Sequence, residues 1–147
     1  MDDNEDGRRS ASAENWRQRR RCRVRPVTAR TILVADDEAD VRSLILALLE
    51  DEGYRVVVAA NGRAAIDVVE RRRPDLILMD VMMPMMDGRE AARRLRERPE
   101  SASIPIVLMS AVTSDALQPG VQAFVAKPFD LDELLATIDR LLDKHAG

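Results

Sequence analysis

The sequence predicts an α/β fold in which a five-stranded parallel sheet is covered by helices. Two observations carry this expectation. Short apolar runs alternate with helix-patterned segments five times along the chain. Within the runs the apolar residues are consecutive, the pattern of strands buried on both faces. Aromatic residues make up only 3% of the chain, so the core between these layers must be aliphatic.

The order of elements begins after a tail. Residues 1–30 are polar and charged and read as a disordered basic segment, leaving residues 31–147 as one domain. The tail carries nine Arg against five acidic residues, a balance of +4, whereas residues 31–147 carry 14 basic and 21 acidic side chains, a balance of −7. An acidic body argues against general binding of a phosphate backbone by the domain. The cluster "WRQRRRCRVR", Trp16 to Arg25, is read first as a solvated tail, with a nucleic-acid or acidic-partner contact as the lesser alternative. A non-Met start near Val27 would remove this tail altogether.

"TILVA", from Thr31, is the first strand, and it runs into Asp36, Asp37 and Glu38. Val41, Leu44, Ile45, Leu48 and Leu49 then fall at helical spacing, and Gly53 suits a left-handed cap after that helix. Tyr54–Ala60 is rich in β-branched residues and reads as the second strand. Asn61 is placed to cap a helix bearing Ala65, Ile66 and Val69. Pro74 stops the chain before the third strand, Leu76–Met79, which meets a carboxylate at Asp80. Asp87-Gly88 opens the next helix, broken by Pro99. Ile104–Ser110 is the fourth strand, with Pro105 tolerable only near its start. Pro119-Gly120 restricts any helix between Ala111 and Gly120 to one or two turns. Val121–Ala126 is the fifth strand. The last helix has Asp130 and Glu133 in a capping-box spacing, then an apolar stripe through Leu131, Leu134, Leu135, Ile138, Leu141 and Leu142.

Several classes are excluded or disfavoured. Cys22 is the only cysteine, so there is no internal disulfide and no Cys/His metal spacing. No apolar run approaches the roughly 18 residues of a membrane span, and the N-terminus lacks the apolar core of a signal peptide. A cytoplasmic protein is the default expectation.

Right-handed crossovers bring the C-terminal ends of parallel strands to one edge, where open α/β sheets place their sites. The first strand delivers Asp36 and Asp37 to that edge, the third Asp80, the fourth Ser110, the fifth Lys127. Any one of these is an ordinary cap or turn residue; their convergence is not. Three carboxylates cannot crowd together ionised without a counter-charge. An all-oxygen donor set suits Mg²⁺. With its charge partly neutralised, Asp80 can meet an anionic phosphoryl group as a nucleophile and form an aspartyl phosphate. Lys127 can hold one phosphoryl oxygen. Ser110 can donate to another only once the group has arrived, which makes it a switch.

The pieces "ILVADDE", "DLILMDVMMPMMDG", "IVLMSA" and "FVAKPFDLDELL", in that order from Thr31 to about Leu142, resemble the receiver domain of two-component response regulators. The resemblance implies a doubly wound, flavodoxin-like (βα)5 fold. It implies that Asp80 accepts a phosphoryl group from the phosphohistidine of a histidine kinase. Mg²⁺ would be held by Asp36, Asp37, Asp80 and the backbone carbonyl of Met82. Pro128 would follow a cis peptide, and Phe124 would match the aromatic that turns inward when Ser110 moves, with a plain core Phe the equal alternative.

Two departures from that pattern stand out. Ser110 and Lys127 are only 17 positions apart, so a shortened or irregular fourth helix is expected. Met82 and Val112, each two residues past a site residue, are apolar where many receivers carry groups that orient the attacking water, and a long-lived aspartyl phosphate is expected. The other methionines, Met83, Met85 and Met86, read as adaptable packing in the loop. Nothing but "DKHAG" follows the last helix, so a stand-alone switch with output through protein contacts, or a phosphorelay shuttle, is expected. His145 reads as a cation favourable to a helix C-terminus. The chain is a phosphoacceptor in this reading, not an enzyme acting on a separate substrate. A phosphatase of the dehalogenase type would need a second acid at Met82 and is disfavoured.

Overall fold

A computed structural model describes residues 30–112 and 120–146 of the 147. Five strands, all parallel, form one sheet: β1 Thr31–Ala35, β2 Arg55–Ala59, β3 Leu76–Asp80, β4 Ile106–Ser110 and β5 Ala123–Ala126, in the order β2-β1-β3-β4-β5. Four helices connect or follow them among the described residues: α1 Ala39–Asp51, α2 Gly62–Arg72, α3 Gly88–Arg96 and α4 Leu131–Ala146. The order reverses direction at β1 and β3, leaving a crevice at their C-terminal ends.

The central strands β3 and β4 are buried at every position, as consecutive apolar residues require. Side chains still alternate across the pleat. Leu33, Ile77, Met79 and Leu108 pack with Ala65 of α2 and Leu95 of α3 on one face. Ile32, Val34, Leu78 and Met109 pack with Ile45 of α1 and Leu135 of α4 on the other. The sheet is therefore covered on both sides, two helices to each.

The edges depart from the expectation of full burial. β2 exposes Arg55 and Val58, and β5 is nowhere fully buried. Each lacks a neighbouring strand on one side, so apolar sequence there reflects β-branched propensity as much as burial. Strand limits also contract. Tyr54 and Ala60 lie outside β2, Ile104 and Pro105 precede β4, and Val121 and Gln122 precede β5. Asp80, by contrast, is the last residue of β3 and not a residue beyond it.

The caps follow from local chemistry. Asn61 accepts from Ala64 N at 2.8 Å and Asp87 from Glu90 N at 2.9 Å, satisfying first-turn donors of α2 and α3. Gly53 follows α1 with φ +95°. At α4 the expected capping box takes another form: Asp130 accepts from Asp132 N at 2.8 Å, one residue nearer than Glu133 N. α2 ends on Arg73 at φ 47°, a left-handed residue with a side chain, just before Pro74. The expected short helix between β4 and β5 and the tail of residues 1–29 lie outside the described residues, as does the side chain of His145.

Candidate functional site

The parallel register decides which side chains meet. Ile32, Val34 and Asp36 share one parity, as do Leu76, Leu78 and Asp80, so both carboxylates continue rows that pack under α1 and α4. Asp36 leaves β1 with its N–H bonded to Ala59 O at 3.1 Å and its carbonyl accepting from Arg42 Nη1 at 2.8 Å. Its Oδ1 accepts from Glu38 N at 2.9 Å. Its Oδ2 lies 3.2 Å from Lys127 Nζ. Asp80 is fixed from behind by the bond of Val81 N to Met109 O at 2.9 Å, and its Oδ1 also lies 3.2 Å from Lys127 Nζ.

Lys127 reaches this point because its N–H continues the β5 ladder, donating to Ser110 O at 2.9 Å. The Lys127–Pro128 peptide is cis, as expected. The three acids Asp36, Asp37 and Asp80 each offer an oxygen within 4.8 Å of the others; Asp36 and Asp80 are buried and Asp37 is exposed to solvent.

One ammonium is thus shared by two buried carboxylates, with a third acid beside them. Burial raises the Asp80 carboxyl above its ordinary value, Asp36 raises it further, and Lys127 only partly opposes this. Burial by itself would lower the Lys127 ammonium, but Asp36 and Asp80 together outweigh it, so the ammonium is held more firmly protonated than usual. The site carries more negative charge than its own cation neutralises.

Ser110 and Phe124 stand apart from that group. Ser110 follows Ile106 and Leu108 in parity, and Phe124, the register partner of Leu108, packs partly buried against the α2/α3 core. Both therefore belong to the other sheet face. Ser110 is buried, and its Oγ accepts from Val112 N at 3.0 Å. Met82 and Val112 are exposed, 63% and 48%, so both apolar side chains lie open to solvent where the chain leaves β3 and β4.

Sequence reasoning missed three supports. Arg42 holds the Asp36 carbonyl, Gly62 donates to Met86 O at 3.0 Å, and Gly88 donates to Val81 O at 2.9 Å. Gly88 leaves no room for a Cβ, which would stand 2.4 Å from Asp80 O. A glycine at the first turn of a helix is the only trace of such crowding in the sequence, and it is a weak one.

Comparison with known proteins identifies the fold and the family. Residues 32–139 match the response regulator receiver domain family. The chain is 41% identical over 121 residues to the response regulator Rre1 of Synechocystis sp., covering 78% of this chain and 52% of that protein. It is 37% identical over 121 residues to the phosphate regulon transcriptional regulatory protein PhoB of Pseudomonas aeruginosa, covering 79% and 53%. The chain thus spans about half the length of these two relatives. In structure it resembles the receiver domain of the sensor histidine kinase PA1611 from Pseudomonas aeruginosa, solved with a magnesium ion coordinated in its active-site cleft. The TM-score is 0.71 at 33% identity, covering 79% of this chain and 99% of that one. With five parallel strands, helices on both faces and a family match across most of its length, the chain belongs to the response regulator receiver domain family and serves phosphorylation-based two-component signalling.

Proposed function

We propose that Asp80 accepts a phosphoryl group from the phosphohistidine of a histidine kinase or phosphotransfer protein, with Mg²⁺ bound, and that the modified domain signals through protein contacts. The observation that carries this reading is the shared ammonium: Lys127 lies 3.2 Å from both Asp36 and Asp80 while a third acid stands within 4.8 Å. Such an anionic excess fits a hard divalent cation with oxygen donors. Asp36, Asp37, Asp80 and the carbonyl of Met82 would hold it. When bound, Mg²⁺ supplies charge neutralisation at the phosphoryl oxygens.

The chain's own residues do the rest. An Asp80 oxygen attacks phosphorus, the new P–O bond forms as the donor's P–N bond breaks, and the leaving imidazole retains the electron pair and takes up a proton. Lys127, already within reach of the carboxylate, passes to a phosphoryl oxygen. The Ser110 hydroxyl donates to another, and movement of Ser110 frees Phe124 to turn inward from its partly buried place. Met82 and Val112 offer no hydrogen bond to an attacking water, so hydrolysis of the acyl phosphate is slow. A lifetime of seconds in buffer with Mg²⁺ would contradict that last point.

No helix among the described residues is long and apolar enough to cross a membrane. The reading is tested by incubating the full chain with Mg²⁺ and a small phosphodonor and following intact mass. Wild type gains a single phosphoryl group that base and hydroxylamine remove, and captures a partner more strongly; Asp80→Asn does neither. Equal labelling of both proteins would refute the assignment.

A further inference from the structure

The segment between β3 and α3, residues 81–87, carries Met82 past the carboxylates, and its position decides where that carbonyl points. Three buried side chains, Val81, Met83 and Met86, root it in the α2/α3 core, while Met82 and Met85 are exposed. Backbone bonds tie it to three other elements: Val81 N to Met109 O of β4, Gly88 N of α3 to Val81 O, and Gly62 N of α2 to Met86 O. The last, like the Gly88 contact, has a spatial requirement. A Cβ on Gly62 would stand 2.4 Å from the backbone oxygen of Met86 and 3.1 Å from its C and Cβ, so the loop backbone itself would have to shift. Gly62 has no left-handed φ, so its conformation is open to any residue, and alanine is the better helix former. The glycine is there for space alone.

We propose that Gly62 is a positioning residue for the acceptor loop. Close backbone contact between the start of α2 and Met86 holds residues 81–87 at the distance from the sheet that the Asp36/Asp37/Asp80 cluster needs. The inference rests on the Mg²⁺-assisted reading given above. Alanine at position 62 pushes the Met86 carbonyl outward by something under about 1 Å, a displacement of the size that weakens a metal site or a reacting geometry without unfolding the domain.

The experiment is calorimetric titration of the full chain with MgCl₂. The variants are Gly62→Ala and, as control, Gly53→Ala, where φ is +95° and no heavy atom lies within 4 Å. The control strains the backbone far from the loop. Gly62→Ala is expected to raise the Mg²⁺ dissociation constant roughly tenfold, and to raise the Mg²⁺ concentration for half-maximal phosphorylation equally, with the saturated rate largely restored. Gly53→Ala is expected to lose stability with Mg²⁺ binding unchanged. A folded Gly62→Ala with the wild-type dissociation constant overturns the inference while leaving the site reading intact. Absence of Mg²⁺ binding by wild type overturns both. Should Gly62→Ala fail to fold, amide exchange in the wild type decides. Mg²⁺ then slows exchange of the Gly62 N–H, which bonds the loop, but not of the Ala65 N–H, which bonds Asn61 O within the same helix end. Equal response at both amides counts against the proposal.

Discussion

Lys127 and Arg96 are both cations drawn out of solvent, at opposite edges of one sheet, and their surroundings differ in kind. Arg96, at the end of α3, directs its Nε to Gly120 O and its two terminal nitrogens to Ser101 O, Ala102 O, Ile104 O and Gln122 Oε1. A guanidinium has five N–H groups, and here each meets a neutral acceptor. Burial lowers its pKa, yet a guanidinium stays charged at any ordinary pH. Gln122 passes the network on by accepting from Ile106 N at 2.7 Å. The result ties the approaches to β4 and β5 onto α3. Lys127 instead divides one ammonium between two buried carboxylates, leaving excess negative charge at the C-terminal edge. The saturated cation is a fastener. The unsaturated cluster leaves a demand for a counter-cation, which the proposed Mg²⁺ would meet.

The comparison breaks most sharply on chemistry. Asp80→Asn is expected to abolish phosphoryl incorporation, whereas Arg96→Met, at the far edge, should incorporate at the wild-type rate per folded molecule. Intact mass after exposure to a phosphodonor reads both. If Arg96→Met also lost the label while folded, the two edges would not be separable in this way.

Stability should reverse the ranking. Arg96→Met strands several backbone carbonyls and is expected to cost on the order of 2–3 kcal/mol, roughly 10 °C in the melting midpoint. Urea melts of the two proteins check it. Mg²⁺ at ten times its dissociation constant should stabilise wild type by about 1.4 kcal/mol, and Asp36→Asn, which removes a proposed ligand, should lose most of that gain. Arg96→Met should keep it.

A subtler test uses protons. Because the folded Asp80 carboxyl titrates above its unfolded value of 3.8, the native state binds the proton more tightly than the unfolded state. Without divalent cation, its ionisation therefore destabilises the fold, an effect absent below the unfolded pKa and complete above the raised folded one. The gap in melting temperature between Asp80→Asn and wild type should open as pH rises through that window and narrow when Mg²⁺ is added. A gap that shrinks with rising pH would contradict the charge excess.

The smallest effect belongs to the outer face of α3. Arg93 and Arg94 hold the Glu90 carboxyl down to about 2, but all three are solvent-exposed and salt screens them. Glu90→Gln should leave the melting temperature at physiological salt unchanged within error.

Much of this was legible in the sequence because it depends on period and strand ends. Apolar runs located all five strands, and the residues at or just past their C-terminal ends include Asp36, Asp37, Asp80 and Lys127, which the structure brings together, and Ser110, which follows the other sheet face. What escaped depends on three-dimensional crowding or on side chains reaching across elements. Nothing in "GREAARRLRER" distinguishes Arg96, with its carbonyl cage, from Arg93 or Arg94 in their exposed pairs. Gly62 follows the cap Asn61 with nothing in the sequence to mark how closely its backbone meets Met86 O. Edge strands likewise carry the same apolar sequence as central ones, so β2 and β5 looked more buried than they are.

The most direct test of the central claim is to locate the modified atom. Wild-type protein is treated with a small phosphodonor in Mg²⁺ or in a chelator, reduced with borohydride, which converts an aspartyl phosphate to homoserine, and sequenced by tandem mass spectrometry. The account predicts homoserine at position 80 in the Mg²⁺ sample and little in the chelated one. Conversion at Asp36 or Asp37 instead, or equal conversion with and without the cation, would contradict it.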